Sequence, residues 1–211
     1  EFEKYKSYPQ YKRREREMTL SEFKTIFYWE WGHRMLGRVT GLAFAGPLAY
    51  FAARKQIPRW LWPRLLAMLG LGGAQGLIGW WMVKSGLSEN PFISQYRLTI
   101  HLGNAFLIIF LIIWLIMDIY EGIAKIKLNY SIFTLSVIVM TILAGAFVAG
   151  MDAGLMYNTY PLMNNNLFPD QYGQLGMLDP FENPGSAQFH HRHLGLLSLG
   201  VIIYFYILFR S

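Results

Sequence analysis

Cysteine is absent from the 211 residues, which excludes every architecture built on thiol chemistry: a disulfide scaffold, an iron–sulfur cluster, a thiolate-ligated haem or a zinc ribbon. Charge is the second scarcity. Charged side chains make up 15% of the chain, against about 25% in a soluble domain, and 14 of the 32 fall in residues 1–34. The remaining 177 residues are poorer still, while 54% of the chain is hydrophobic and 17% aromatic. Such a composition excludes a disordered tail and describes a chain written for lipid. The net charge of +6 is therefore read by location, as loops beside anionic lipid and not as a nucleic-acid surface. The chain does not begin with methionine, and its charged start shows no signal or transit peptide, as expected of a piece of a longer protein.

Charge-free runs cover residues 39–53, 65–83, 98–117, 128–151 and 193–209. An apolar helix needs about 20 residues to cross the hydrocarbon. The first run is short by that measure, but it extends backward through His33 to Arg38, where arginines can snorkel to the interface. The expected fold class is thus an all-α membrane protein, a transmembrane helical bundle of five spans. Joints at Ile57-Pro58, Trp62-Pro63, Ser85-Gly86, Asn90-Pro91 and Asn129 support the divisions. Residues 1–32 read as a solvated, partly helical surface segment, with Thr19 or Ser21 as helix cap and Ser21 the better placed. Phe27, Tyr28, Trp29 and Trp31 then mark the membrane interface.

Each crossing reverses direction, so the first, third and fifth spans begin on one side. Arg54, Lys55, Arg59, Arg64, Lys125, Lys127 and Arg210 fall at the opposite ends, whereas residues 152–190 hold no lysine or arginine. The positive-inside rule then puts the starts of those three spans outside. The N-terminal segment cuts against this with eight lysines and arginines, offset in part by six acids.

Histidines stand at 33, 101, 190, 191 and 193, each at or near the start of the first, third or fifth span. Ionisable side chains are expensive in lipid and usually face a bundle interior. Two imidazoles on neighbouring helices can clamp a haem iron from both sides in the slot of a bundle, and His33 and His101 fit that demand. Copper or zinc held by histidines is the alternative. Arg34, Arg97 and Arg192 lie beside these histidines, placed to pair haem propionates or, equally, lipid headgroups. Glu30 is three residues before His33, on the same face if the helix continues back. A carboxylate beside a porphyrin can serve as proton relay or base, and burial there would suit Glu30 to that task. Gly70, Gly73, Gly76 and Gly79, with Ala146, Gly150 and Gly154, read first as helix-packing positions. Trp80, Trp81 and Trp114 read as lipid-facing or belt residues. His33-Arg34-Met35-Leu36-Gly37 returns as His191-Arg192-His193-Leu194-Gly195, at an offset of 158 residues, in keeping with internal duplication. The same offset carries His101 to position 259, beyond this chain.

These blocks together resemble haem A synthase of the mitochondrial and alphaproteobacterial type. The resemblance runs from Met18-Thr19-Leu20-Ser21-Glu22-Phe23-Lys24 through Trp29-Glu30-Trp31-Gly32-His33-Arg34 to Gln75-Gly76-Leu77-Ile78-Gly79-Trp80. It continues through Ser94-Gln95-Tyr96-Arg97-Leu98, His101-Leu102-Gly103 and Gly150-Met151-Asp152-Ala153-Gly154-Leu155 to Phe181-Glu182-Asn183-Pro184 and Gln188-Phe189-His190-His191-Arg192. It implies a protein of eight helices in two similar four-helix bundles, of which this chain would hold five. On that pattern, 1–32 is extramembrane, 33–127 belongs to the bundle of the substrate haem, and 128–211 belongs to the bundle of the cofactor haem. His33 and His101 would hold haem O, Glu30 would serve as the catalytic carboxylate, and His191 would be one ligand of haem b. His190 and His193 would point off that face. Arg34 and Arg192 would be cofactor-binding, and the fourth ligand has no counterpart here.

The implied reaction is oxidation of a ring methyl of haem O to a formyl group, giving haem A for cytochrome c oxidase. The implied surroundings are the mitochondrial inner membrane or a bacterial cytoplasmic membrane, with membrane lipid, haem O synthase, cytochrome oxidase assembly factors, an electron-transfer partner and a second copy of the chain as partners. Two rival readings use the same residues: a non-enzymatic b-type haem electron carrier, with Glu30 merely solvated, and a structural membrane subunit of a respiratory complex.

Overall fold

The computed structural model describes residues 1–12, 17–86, 92–121 and 128–210. The joint at Asn90-Pro91 and the cations Lys125 and Lys127 lie outside the described residues. The chain is helical throughout its long segments: α1 (Phe2–Lys6), α2 (Pro9–Lys12), α3 (Leu20–Ala53), α4 (Trp62–Gly86), α5 (Gln95–Glu121), α6 (Leu128–Gly150), α7 (Asp179–Glu182) and α8 (Pro184–Phe209). Four of these are long and apolar enough to cross a membrane, over Trp62–Gly86, Gln95–Tyr120, Ser131–Gly150 and Pro184–Phe209. The expected membrane bundle is therefore the observed fold class. By that measure α3 falls short, since its charge-free part is only residues 39–53 and contains Pro47.

The start of α3 departs from expectation. Thr19 caps it, not Ser21: the Thr19 hydroxyl accepts the Glu22 N–H at 3.3 Å, and the Glu22 carboxylate accepts the Thr19 N–H at 2.8 Å. This reciprocal arrangement satisfies two backbone donors at once. Ser21 would place Lys24 at the third position, and a lysine has no acceptor with which to reciprocate. The helix then runs unbroken through residue 33, so His33 sits well inside it and not at its beginning. None of the described side chains in residues 1–12 is buried, but Phe2 and Tyr5 pack on Phe23 with ring centroids 5.0 and 5.4 Å apart, and Tyr11 meets both edge-on.

The chain forms two compact units, one of residues 1–93 with 104–119, the other of 94–103 with 120–211. In the first, α3 packs on α4, and α4 is tied to α5 by polar contacts. Asn104 Nδ2 donates to Gln75 Oε1 at 2.7 Å and to the Leu71 carbonyl at 3.2 Å. Arg64 donates to the carboxylate of Asp118, whose side chain is 7% exposed. Of the α4 glycines expected at close packing, Gly70, Gly73 and Gly76 have no such neighbour among the described residues: an added Cβ would meet nothing within 4 Å. Trp80, Trp81 and Trp114 are exposed, as a lipid-facing role requires.

In the second unit the dominant packing is α6 on α8. Here small residues do bring helices together. A Cβ at Gly150 would lie 2.5 Å from the Gln95 Cα, and Ala146 is 3% exposed. Gly150 thus admits the head of α5 against the end of α6. Overpacking at such a contact costs about 1–3 kcal/mol. Gly150→Ala is expected to lower the thermal unfolding midpoint of the detergent-purified chain, while Gly73→Ala leaves it unchanged or raises it.

Candidate functional site

The first turns of α8 organise the second unit. Asn183 caps the helix, accepting the N–H groups of Gly185 and Ser186 at 3.0 and 3.4 Å, with Pro184 in the first turn where no donor is needed. Its amide nitrogen donates to the Gln171 carbonyl at 3.1 Å and to Asp179 at 3.2 Å. Gln188, 4% exposed, uses both ends of its amide on the preceding loop. Its nitrogen donates to the Gly154 and Tyr157 carbonyls at 2.9 and 3.2 Å, and its oxygen accepts the Tyr157 N–H at 3.1 Å. One turn on, Arg192 donates to the Tyr157 carbonyl, to the Thr159 carbonyl at 2.9 Å, and lies 3.2 Å from Met163 Sδ. A loop of more than 30 residues without a cation of its own is thereby fastened to one helix face.

His191 points elsewhere, toward α6. Its Nδ1 lies 3.0 Å from the Thr141 carbonyl, and its ring lies against Gly145, where a Cβ would come within 2.9 Å of Cε1. Ser198, two turns later on the same face, is 8% exposed and 2.7 Å from the Thr141 hydroxyl. The other two histidines of the block lie off this face. His190 Nε2 is 3.3 Å from the Tyr172 hydroxyl, while His193 Nδ1 returns to its own helix at the Phe189 carbonyl, 2.8 Å away.

His101, half-buried, lies two turns into α5. The head of that helix is anchored by Gln95, which donates to the Phe181 carbonyl and to Glu182 at 3.3 Å each, and by Tyr96, whose hydroxyl donates to Glu182. In the first unit, His33 and Glu30 are both exposed. Glu30 is 62% exposed at its side chain and accepts a hydrogen bond from Arg34 at 3.1 Å. Arg34 meets a carboxylate of its own helix, and the terminal nitrogens of Arg192 are turned to loop carbonyls. Among the described residues no group of three or more His, Asp or Glu is assembled to hold a metal ion, so the copper or zinc alternative finds no cluster there.

Thr141, Gly145, Asn183, Gln188 and Ser198 had no role in the sequence reading. Gln188 and Asn183 stood inside quoted motifs, and Thr141 with Gly145 at one-turn spacing in an apolar run was the available signal for the rest.

A multi-helix membrane protein with histidines set into its long helices is the class that fold and site define. The chain belongs to the cytochrome oxidase assembly protein family COX15-CtaA, which it matches over residues 1–211. It is 45% identical over 197 residues to the heme A synthase of Caulobacter vibrioides, an overlap covering 90% of this chain and 57% of that protein. Identity to the heme A synthase of Maricaulis maris is 44% over 211 residues, covering 97% and 62%. Identity to heme A synthase COX15 of Bos taurus is 40% over 226 residues, covering 100% and 55%. The chain thus spans between 55% and 62% of the length of these relatives. No solved structure matches it.

The anchoring of the loop has a pH signature. Burial pushes the Asp179 carboxyl up, but the hydrogen bonds it accepts from the N–H groups of Gly173 and Leu175 and from the Asn183 amide hold the group below its ordinary value. A carboxylate lowered in the folded state stabilises it above the unfolded pKa of about 3.9, and that contribution is lost as pH falls through the lower folded value. Limited proteolysis of residues 151–183 is therefore expected to stay slow down to about pH 4 and to accelerate below it. Asp179→Asn should be cut rapidly at neutral pH as well.

Proposed function

We propose that this chain carries the substrate site and part of the cofactor site of a haem A synthase, which oxidises a ring methyl of haem O to a formyl group. The observation that carries the reading is the match to heme A synthases along the whole chain. His33 and His101 are the proposed ligands of haem O, holding and orienting the porphyrin so that one methyl is presented to the chemistry. Glu30, one turn before His33, moves protons at the reacting edge. Its hydrogen bond from Arg34 fixes where the carboxylate stands on the helix. His191 is the proposed ligand of haem b. The group fits the residue: Nδ1 is engaged by a carbonyl, and among the described residues no hydrogen bond reaches Nε2. Bound haem b would supply an electron-transfer centre. Arg34 and Arg192 are the proposed propionate partners, and Arg192 fills that role by exchanging loop carbonyls for carboxylates.

In this reading residues 33–127 form the substrate-haem part and 128–211 the cofactor-haem part, with 1–32 outside the membrane. The chain resides in the mitochondrial inner membrane or a bacterial cytoplasmic membrane, both kinds of source being represented among its relatives. Its proposed partners are haem O synthase, cytochrome oxidase assembly factors, an electron-transfer protein and a second copy of itself.

One observation favours the second reading, a b-type haem electron carrier: Glu30 is exposed and ion-paired, as a merely solvated residue would be. Chromatography of extracted haems separates the two. In the protein that carries this chain, Glu30→Ala is expected to keep its haem absorbance while haem A production falls by about 100-fold. His33→Ala and His101→Ala are expected to lose bound haem O. Unchanged haem A production in the Glu30 variant removes that residue from the mechanism.

A further inference from the structure

We propose that Thr141 and Gly145 of α6 are positioning residues for His191, holding its imidazole as the Nδ1–H tautomer so that Nε2 presents the electron pair to a haem iron. The inference rests on His191 being a haem ligand, and goes beyond it by naming what sets the ring.

A carbonyl oxygen only accepts, so an imidazole nitrogen 3.0 Å from the Thr141 carbonyl must carry the proton. In a neutral ring the other nitrogen is then the one free to ligate. The Thr141 carbonyl is available because of residue 145. Helix geometry directs each carbonyl toward the residue four positions on, so a side chain at 145 would stand over the oxygen that His191 uses. Glycine leaves it open. The contact distances carry the same conclusion, because an added Cβ would lie 2.9 Å from Cε1 and 3.4 Å from both ring nitrogens. The ring therefore seats its Cε1 edge on bare backbone, with Nδ1 turned to the carbonyl one turn earlier.

Thr141 is itself held. Its hydroxyl lies 2.8 Å from the Val137 carbonyl, 3.1 Å from the Leu194 carbonyl and 2.7 Å from the Ser198 hydroxyl. The α6 turn that offers the carbonyl is thus pinned to the α8 turn that carries the imidazole. A proton donated from the far nitrogen raises the basicity of the ligating one and fixes ring orientation. At a haem, that is one of the levers by which a protein lowers the reduction potential.

Nitrogen-15 NMR of the histidine-labelled chain in detergent, without haem, reads the tautomer directly. His191 is expected to be protonated at Nδ1 and bare at Nε2, and protonation at Nε2 overturns the proposal. Gly145→Ala is expected to abolish this signature and to weaken haem b binding by about 10- to 100-fold. Should that variant fail to fold, Nδ1-methylhistidine at position 191 removes the donor and leaves Nε2 intact. Bound haem b should then show a raised midpoint potential and weaker binding, and an unchanged potential and affinity overturns the positioning role. His191→Ala separates the two levels: loss of its low-spin haem spectrum supports ligation, whereas an unchanged spectrum overturns His191 as ligand even if the tautomer is as expected.

Discussion

Hydrocarbon offers no partner to a polar group, and this constraint decides how α6 and α8 meet. A threonine, a serine and a histidine on their facing sides would each be costly if left alone. Brought together, the Thr141 and Ser198 hydroxyls meet and the His191 ring donates to the Thr141 main-chain carbonyl, and the glycine at 145 lets the ring come close enough to do so. The interface is therefore specified by polar matching as well as by apolar fit, which a uniformly apolar pair of helices cannot achieve. Rotating either helix by one residue would break the contacts between the helices and leave Thr141 only its bond to the Val137 carbonyl of its own helix.

Helix α8 solves a second problem with an adjacent face. The segment between α6 and α8 has no cation and few apolar side chains that bury, Tyr157 and Met163 being among them. Its order comes from backbone groups captured by α8. Gln188 and Arg192, one turn apart, take the carbonyls of residues 154, 157 and 159, and Asn183 couples the helix start to Asp179 and Gln171. Loop and histidine are thus referenced to a single rigid rod, with neighbouring residues 191 and 192 serving α6 and the loop respectively. Elements that hold a site in this way are more exact than a free loop.

The parts legible in the sequence were those with local causes. Charge-free runs located the long helices, because lipid tolerates little else, and three-residue spacing placed Glu30 and His33 on one helix. The cap of α3 was misread even though its signal is local: a threonine three residues before a glutamate forms a reciprocal pair, which the serine cannot form with a lysine. The glycine spacings show why pattern alone was insufficient. Gly150 meets Gln95 at close range, whereas Gly70, Gly73 and Gly76 meet nothing among the described residues, and only the position of the neighbouring helix distinguishes them. The contacts that fasten Gln188 and Arg192 join residues some 30 positions apart, beyond any periodicity. A proposed ligand for each histidine rests on family resemblance, since spacing shows where an imidazole stands and not what it binds.

The tie between Arg64 and Asp118 bears on how α5 is held. Asp118 closes a long apolar stretch of α5 and is almost wholly shielded, while Arg64 opens α4 with its guanidinium also 5.3 Å from the Trp60 ring. A carboxylate shielded from water without its counter-charge would resist residence there. Removing Arg64 would leave that charge shielded and uncompensated, so the stability of α5 at its far end depends on the first turn of α4.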